Sequence, residues 1–337
     1  MAAITGYVTG TFVNGETIQG SSHFLTISDS NFTYFNSIKK DIVTLTIEDS
    51  GITNGYGFFS GLTNLKQLSI GPMPNLIDIS SMFSSCGNLT SVVLNWNAKN
   101  IINANKAFFG CRNLTLLDIS NWDVSKIINV DSMFFYCQNL TSLDVSNWNT
   151  SNITDISNLF YNCSNLTLLD VSNWNISNVT KMVNMFYNCR NLTSLDVSNW
   201  NTSNITDISN LFYNCSNLTL LDVSNWNISN VTSISSAFQG CSNLTSLDVS
   251  NWNTSNVNNL SKAFAYCYNL KILNISHFDI NNCINLSGIF SSCSNLTSLD
   301  VSNWNTSNVT NMANIFSGCS NLTLLNISNW NTSKVTS

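Results

Sequence analysis

The sequence predicts an α/β solenoid, a stack of similar coils in which each coil covers the apolar face of its neighbour. Three observations predict this fold. A cysteine recurs every 26 residues from Cys111 to Cys319, and Cys86 precedes that series by 25 residues. A phenylalanine stands three residues before each of these cysteines. A strand pattern close to Leu-x-x-Leu-x-Val follows each cysteine, so every period carries the same apolar positions.

One coil shows the elements in order. Leu140–Val145 alternates apolar and polar side chains, as a half-buried strand does. Trp148 follows at the corner, and the polar residues 149–152 favour a turn. Thr154 is a candidate helix N-cap, and Ile156–Cys163 has apolar side chains at i, i+3, i+4 and i+7, which predicts a short helix. Each coil is therefore predicted to hold a strand, a corner, a short helix and a return turn.

The domain organisation follows from where this pattern applies. It fits about twelve times between residues 42 and 337, with regular 26-residue coils from about 111, which predicts a parallel sheet on one face and short helices on the other. Residues 1–41 carry no repeat. Their apolar pairs around Asn14-Gly15 predict a hairpin in an N-terminal β cap over the first strand. The sequence stops within a coil, which favours either a truncated end or stacking on another chain or domain.

Pairs of coils form a larger repeat. Residues 139–180 and 191–232 are identical, which indicates duplication of a two-coil unit. Around it, the outward strand position alternates between an aliphatic residue and serine, as in Leu168 and Ser194. The corner alternates between threonine and isoleucine. Surface features are therefore expected to recur at every second coil.

Composition excludes several classes of function. Charged residues make up 9% of the chain and the net charge is −6, so the basic stripe of a nucleic-acid-binding protein is absent. No apolar run approaches the roughly 18 residues of a membrane span. The first residues lack the basic and apolar regions of a signal peptide. No nucleophile–histidine–acid set or phosphate-binding loop occurs, so the chain is predicted not to be an enzyme and to need no cofactor.

The eleven cysteines are interpreted as buried, reduced core residues, because one falls at the same phase of almost every coil. Paired or reactive thiols are the alternative. No CxxC pair exists and the histidines are His23 and His277, so a metal centre is not predicted. In one atypical coil Phe278 is interpreted as a core replacement for tryptophan, and Cys283 as a further buried residue.

The repeated unit F-x-x-C-x-N-L-T-x-L-D-V-S-N-W-N-T-S-N-V-T closely resembles the 26-residue repeat of bacterial surface proteins and mycoplasma lipoproteins. This repeat belongs with the leucine-rich repeats of the bacterial surface protein A-like type. The resemblance covers about residues 59–337. It implies a leucine-rich-repeat-like fold and a surface-displayed adhesion or interaction protein without catalysis. The first residues do not show the lipoprotein or secretion signal that this resemblance leads one to expect, so the resemblance predicts no mode of anchoring for this chain.

Two rows on the strand face are the candidate binding residues. The acidic row predicts either hydration and hydrogen bonding by neighbouring hydroxyls, or a weak Ca²⁺ site or basic partner along it. The aliphatic row favours contact with a partner, unless its members shield one another or two solenoids pair there. The acidic row comprises Asp118, Asp144, Asp170, Asp196, Asp222, Asp248 and Asp300, and the aliphatic row comprises Leu116, Leu168, Leu220, Ile272 and Leu324.

Three further features of the sequence each allow more than one interpretation. The tryptophan row at the corners, from Trp96 to Trp330, favours core packing over stacking on sugars. The frequent Asn-x-Ser/Thr sequons reflect composition more than glycosylation. Regular threonine and asparagine rows allow an ice- or mineral-binding face, which the alternating corner disfavours.

The sequence thus predicts a non-enzymatic solenoid that binds a protein or glycan partner along its strand face. It would lie at the cell surface or outside the cell, with a virion or cytoplasmic location left open. The alternative is a structural subunit of a fibre or virion appendage that assembles end to end through its C-terminal coil. Neither reading includes nucleic acid or a membrane span.

Overall fold

The computed structural model describes residues 8–12, 17–18, 42–47 and 53–337. The chain divides into two compact units. The first comprises Met1–Ile153 with Leu159–Leu169, and the second comprises Thr154–Asn158 with Asp170–Ser337. Each unit is a stack of coils, as the repeat predicts.

A six-stranded sheet runs through the first unit in the order β2-β1-β3-β4-β5-β6. Its strands are β1 (Val8–Phe12), β2 (Thr17–Ile18), β3 (Ile42–Ile47), β4 (Gln67–Ile70), β5 (Ser91–Leu94) and β6 (Leu116–Leu117). From β3 onward the pairing is parallel, and it places Leu45, Leu68, Val92 and Leu117 side by side. This register keeps equivalent residues of successive coils in contact.

The start of the sheet has a different pairing. Strand β1 pairs antiparallel with both β2 and β3. An antiparallel strand against the first parallel strand is the arrangement that a cap requires, because it occupies the open edge. The Asn14-Gly15 turn lies outside the described residues, and the boundary at residue 41 and the number of coils stay predictions.

Beyond β6 the strands become very short. On the strand face, the first unit continues with an isolated bridge between Ser142 and Leu168. The second unit has bridges of the same kind at Ser194–Leu220 and Ser246–Ile272, followed by β7 (Ser298–Leu299) and β8 (Leu324–Leu325). The parallel strand face is therefore present, but the described strands beyond β6 have two residues each and not the six that the sequence predicts.

A turn explains why the strands are short. Asp118 directly follows β6, and its side chain accepts a hydrogen bond from the backbone N–H of Ser120 at 3.1 Å. Such an Asx turn folds the backbone locally and removes an N–H from the ladder. Strand β5 has Val93 at the corresponding position and extends over four residues.

The predicted short helices are wrong: none of the described residues is helical. The segment that follows Val130 instead makes consecutive turns, with N–H···O bonds from Met133 to Val130 at 3.1 Å and from Cys137 to Phe134 at 3.1 Å. Between them, the N–H of Phe134 donates to Leu159 in the next coil at 3.0 Å. A helix would keep all these bonds within one segment.

Left-handed residues allow these turns. Ser132 has a φ of 56° and Tyr136 a φ of 62°, each at the third position of its turn. A type II turn requires a positive φ there, which asparagine and glycine adopt most readily. Asn158, Asn162 and Gly110 are further examples. The apolar spacing correctly predicted the buried side chains, because two such turns place residues i, i+3, i+4 and i+7 on the same side as a helix does.

The core consists of columns of identical side chains. In the first unit the ring centroids of Phe108 and Phe134 lie 5.7 Å apart, and in the second those of Phe212 and Phe238 also lie 5.7 Å apart. Both pairs are stacked nearly parallel. Burial of these large aromatic side chains contributes a major part of the hydrophobic stabilisation, roughly 1.5–3 kcal/mol each.

The cysteine prediction is confirmed, since all eleven cysteines are free and ten of them are buried. Thiols of the periodic series donate to the carbonyl of the phenylalanine one coil earlier, at 3.1 Å from Cys163 to Phe134 and 3.2 Å from Cys215 to Phe186, whereas Cys283 donates to Asn285 of its own coil. Burial raises the pKa of both thiols to about 12, so they stay protonated and unreactive at neutral pH.

Candidate binding surface on the strand face

The strand-face stripe is the pair of aspartate and aliphatic rows defined above. The pleat of the strand places them outward: Leu116 and Asp118 are exposed, whereas Leu117 and Ile119 between and after them are buried. The first unit carries the members up to Leu168, and the second carries those from Asp170 to Leu324.

The aliphatic row is strongly exposed. Its five members are 67–71% accessible, so the alternative that neighbouring side chains shield them is wrong. Each of them stands beside a serine of the preceding coil, as Leu168 beside Ser142 and Leu220 beside Ser194. Within the second unit the members lie two coils apart, about 10 Å, since parallel strands are spaced by about 4.8 Å. The row therefore presents separate apolar knobs on a polar face.

The aspartate row is held by its own serines. The side chain of Asp170 accepts from the backbone N–H of Ser172 at 3.0 Å and from its hydroxyl at 2.7 Å. The same pair of bonds joins Asp222 to Ser224. Both bonds favour the ionised form and therefore lower the pKa of both carboxyl groups below the ordinary value. The bond from the hydroxyl has the larger effect and the bond from the backbone N–H the smaller one.

Hydrogen bonding by serine therefore offsets the repulsion between stacked carboxylates. The nearby Asp248 charge raises the pKa of Asp222, yet the two bonds from Ser224 outweigh it. Among the described residues, no group of three or more His, Cys, Asp or Glu side chains is arranged to hold a metal ion. The weak Ca²⁺ site stays a prediction.

The tryptophan corner is part of the core. Trp226 and Trp252 are 1% exposed, and their indole N–H groups donate to Val197 and Val223 of the preceding coil at 3.0 and 3.1 Å. These rings are not available for sugars. Thr202 is buried at the same corner, and its hydroxyl donates to the carbonyl of Asn227 at 3.0 Å, so the corner threonines do not form an ice-binding row.

The atypical coil follows the prediction. Phe278 is buried in the place of tryptophan, with the exposed His277 ring edge-on to it at 5.1 Å. Cys283 is also buried.

A column of half-exposed aromatic rings on the turn segment was not predicted from the sequence. It comprises Phe109, Phe135 and Tyr161 in the first unit, and the Tyr187–Tyr213 pair in the second. The signal was available, because each of these residues directly follows a core phenylalanine. The column was not predicted because a helix was expected here, and a helix would not have fixed the position of these rings relative to the next coil.

A stack of repeated coils with a parallel strand face defines a repeat solenoid. This chain belongs to the family "Mycoplasma protein of unknown function, DUF285", whose profile matches residues 53–143, 77–195, 131–247, 180–272 and 258–337. The predicted resemblance to a mycoplasma repeat family is thereby confirmed. No curated protein matches the chain.

Several solved leucine-rich-repeat proteins are similar to this chain at low identity. A leucine-rich repeat protein from Eubacterium ventriosum is 15% identical with a TM-score of 0.43, covering 97% of both chains. A leucine-rich repeat protein of Leptospira interrogans is 16% identical with a TM-score of 0.30, covering 83% of this chain and 76% of that one. The functional domain of InlJ from Listeria monocytogenes, which includes a cysteine ladder, is 17% identical with a TM-score of 0.23, covering 82% and 63%.

No helix that could cross a membrane occurs in the part of the chain that the structure describes.

Proposed function

We propose that this protein is a non-enzymatic, surface-exposed solenoid that binds a protein partner along the strand-face stripe. One observation carries the proposal: five aliphatic side chains remain 67–71% exposed, at every second coil within each unit, beside a row of aspartates. Exposed aliphatic side chains in a regular array are unfavourable in water unless a partner covers them.

The chemistry of the two rows defines the partner. Aliphatic knobs separated by polar serines suit a protein surface with apolar side chains at matching intervals. The aspartates add attraction for lysine and arginine and would raise the association rate at low salt. Each contact is weak, so affinity would depend on several being made together. A glycan is the second candidate, because the same face carries many hydroxyl and amide groups.

The fibre or virion-appendage reading remains the alternative. It predicts concentration-dependent filaments, which sedimentation and electron microscopy would detect. A cell-surface or extracellular location accords with the membership in a mycoplasma repeat family and stays part of the proposal.

The chain supplies its own control residues for a test. Serine occupies the aliphatic position in alternate coils, so changing Leu168, Leu220 and Ile272 to serine should leave the fold intact. Asn274 accepts from Ser276 as the aspartates do from their serines, so Asp→Asn changes should keep the Asx turn. The purified chain and both variants would be applied to an array of extracellular-matrix proteins and glycans, with and without Ca²⁺.

We expect the serine variant to lose about tenfold or more in affinity for the protein that the wild type binds, since up to about 1 kcal/mol of hydrophobic contact is removed at each site. The variant with Asp170, Asp196 and Asp222 changed to asparagine should show a slower, less salt-dependent association. Equal binding by wild type and both variants would contradict the proposal.

A further inference from the structure

A pocket of about 570 Å³ lies at the return turns of the first unit, away from the strand-face stripe. Its volume falls within the roughly 300–1,000 Å³ of small-molecule sites. Its lining combines small residues, Ser85, Gly87 and Gly110, with large ones, Arg112 and Tyr136. The pocket therefore lies where neighbouring coils carry side chains of different size at equivalent positions.

Aromatic rings form one wall of this pocket. Phe109 stacks on Phe135 with ring centroids 4.6 Å apart, and Phe135 stacks on Tyr161 at 4.4 Å. Phe109 begins this column, because the preceding coil has Ser84 at the equivalent position. The outer face of the Phe109 ring is therefore not covered by another ring of that column. Tyr136 adds a ring tilted by 48° to Phe135. An aromatic face of this kind packs well against the C–H face of a pyranose ring.

Amide side chains form the rim. Asn113 donates through Nδ2 to the side-chain oxygen of Asn88 at 3.2 Å, and Asn88 donates to the carbonyl of Thr63 at 2.8 Å. An amide nitrogen carries two N–H groups, so each asparagine retains one donor beyond these bonds. Gln138 lines the same rim. The rim thus offers several donors and acceptors at fixed positions, which is what the hydroxyl groups of a sugar require.

Arg112 supplies the charge. Its guanidinium carbon lies 5.8 Å from the centroid of the Tyr136 ring, and the pocket lining contains no aspartate or glutamate. Over the described ranges, the ion pair that occurs joins Lys181 and Asp155 and does not involve Arg112. The guanidinium can therefore take a carboxylate, with two parallel N–H···O bonds.

The second unit shows what Arg112 would do in a regular coil. Arg190 stands one residue after its cysteine, as Arg112 does, and its Nε donates to the side-chain oxygen of Asn188 at 2.6 Å. In the coil of Arg112 the residue corresponding to Asn188 is Gly110. The glycine both opens the pocket and leaves the guanidinium without that intramolecular acceptor.

From these contacts we infer that the pocket binds a sugar that carries a carboxylate, such as a uronic acid unit. The sugar ring packs against Phe109, its hydroxyl groups bond to Asn88 and Asn113, and its carboxylate pairs with Arg112. This site is separate from the strand-face stripe and does not depend on the function proposed for it.

The test uses two matched probes, methyl β-D-glucuronide and methyl β-D-glucoside, which differ in the carboxylate. Saturation-transfer NMR and titration calorimetry on the full chain should show binding of the glucuronide and at least tenfold weaker binding of the glucoside. Arg112→Gln should weaken glucuronide binding about 10- to 100-fold, as expected for a charge-assisted pair. Arg190→Gln is the matched control and should bind the glucuronide as the wild type does.

A second variant closes the pocket without changing the backbone. Gly110 has a φ of +72°, and a Cβ there meets no atom closer than 3.7 Å. Asparagine holds the equivalent left-handed position at Asn162 and Asn214, so Gly110→Asn should fold normally and abolish binding. Retained binding by this variant, equal affinity for both probes, or no detectable binding of the glucuronide by the wild type would each overturn the inference.

Discussion

The thiol of Cys215 donates to the carbonyl oxygen of Phe186, 29 residues earlier, at 3.2 Å. The donor and acceptor belong to adjacent coils of the second unit, and the bond is repeated at Cys241, Cys267 and Cys293 at 3.1–3.2 Å. The cysteine is therefore both a small core side chain and a hydrogen-bond donor that links one coil to the next.

Replacing Cys215 by alanine should lower the free energy of unfolding by about 1–3 kcal/mol, because the change leaves a cavity and an unpaired carbonyl. Cys319→Ala is the matched control: its thiol makes the same bond to Phe290 at 3.0 Å but is only half-buried. Urea denaturation should show a smaller loss for Cys319→Ala. Equal losses would show that burial does not determine the effect.

Thiol reactivity should follow burial. Burial raises the pKa of Cys163 and Cys215 to about 12, so almost no thiolate forms at pH 8. The pKa of Cys319 is also raised by partial burial, but this cysteine is the most accessible of the eleven. In the native protein, iodoacetamide at pH 8 should alkylate Cys319 first, as peptide mass spectrometry would show. Early labelling of Cys215 would contradict this prediction.

The turns that replace the predicted helices can be tested at Asn210, whose φ is 56°. Asn210→Gly should keep or slightly raise stability, because glycine adopts a positive φ without steric cost. Asn210→Ala should destabilise the protein by about 1 kcal/mol, since a Cβ is disfavoured in the left-handed region. In a helix the order would be reversed, with alanine the more stable variant. Thermal or urea unfolding of the pair distinguishes the two backbones.

The aspartate row makes stability depend on pH in the acid range. Serine hydrogen bonds hold the pKa of Asp118, Asp170 and Asp222 below the unfolded value of about 3.9. These groups therefore stabilise the fold above that pH, and the contribution is lost as pH falls through the lower, folded pKa. Each contribution is small, because the carboxylates are largely exposed.

The variant with these three aspartates changed to asparagine should lose less stability between pH 6 and pH 2.5 than the wild type, because its turns no longer depend on ionisation. Urea midpoints at the two pH values measure the difference. A wild type and variant with the same change in midpoint would show that the Asx turns carry no pH dependence.

The sequence predicted the buried set well. Phe134, Cys137 and Leu143 were placed in the core from their period alone, and all three are buried. The outward position of Leu168 was predicted from alternation with Leu169. Such assignments need only the rule that equivalent residues of adjacent coils lie side by side, which a fixed 26-residue period establishes.

The backbone of the turn segment was decided only by tertiary structure. The apolar spacing from Val130 to Cys137 fits a helix and a pair of type II turns equally well. The turns are formed because their remaining N–H groups bond across coils, as from Tyr136 to Tyr161 at 2.8 Å, and such bonds exist only once the coils stack. In this segment Ser132 and Tyr136 adopt the positive φ that such turns require, and an α-helix contains no residue with a positive φ.

By itself, then, the sequence determined the period, the core columns and the side chains that line the strand face, because each depends on local alternation repeated many times. Tertiary structure alone decided the form of the turns, the hydrogen bonds that cysteines such as Cys215 and tryptophans such as Trp226 donate to the preceding coil, and the pocket beside Arg112. These features depend on what the neighbouring coil places opposite a residue, and they change where the repeat is not exact, as between Gly110 and Asn188.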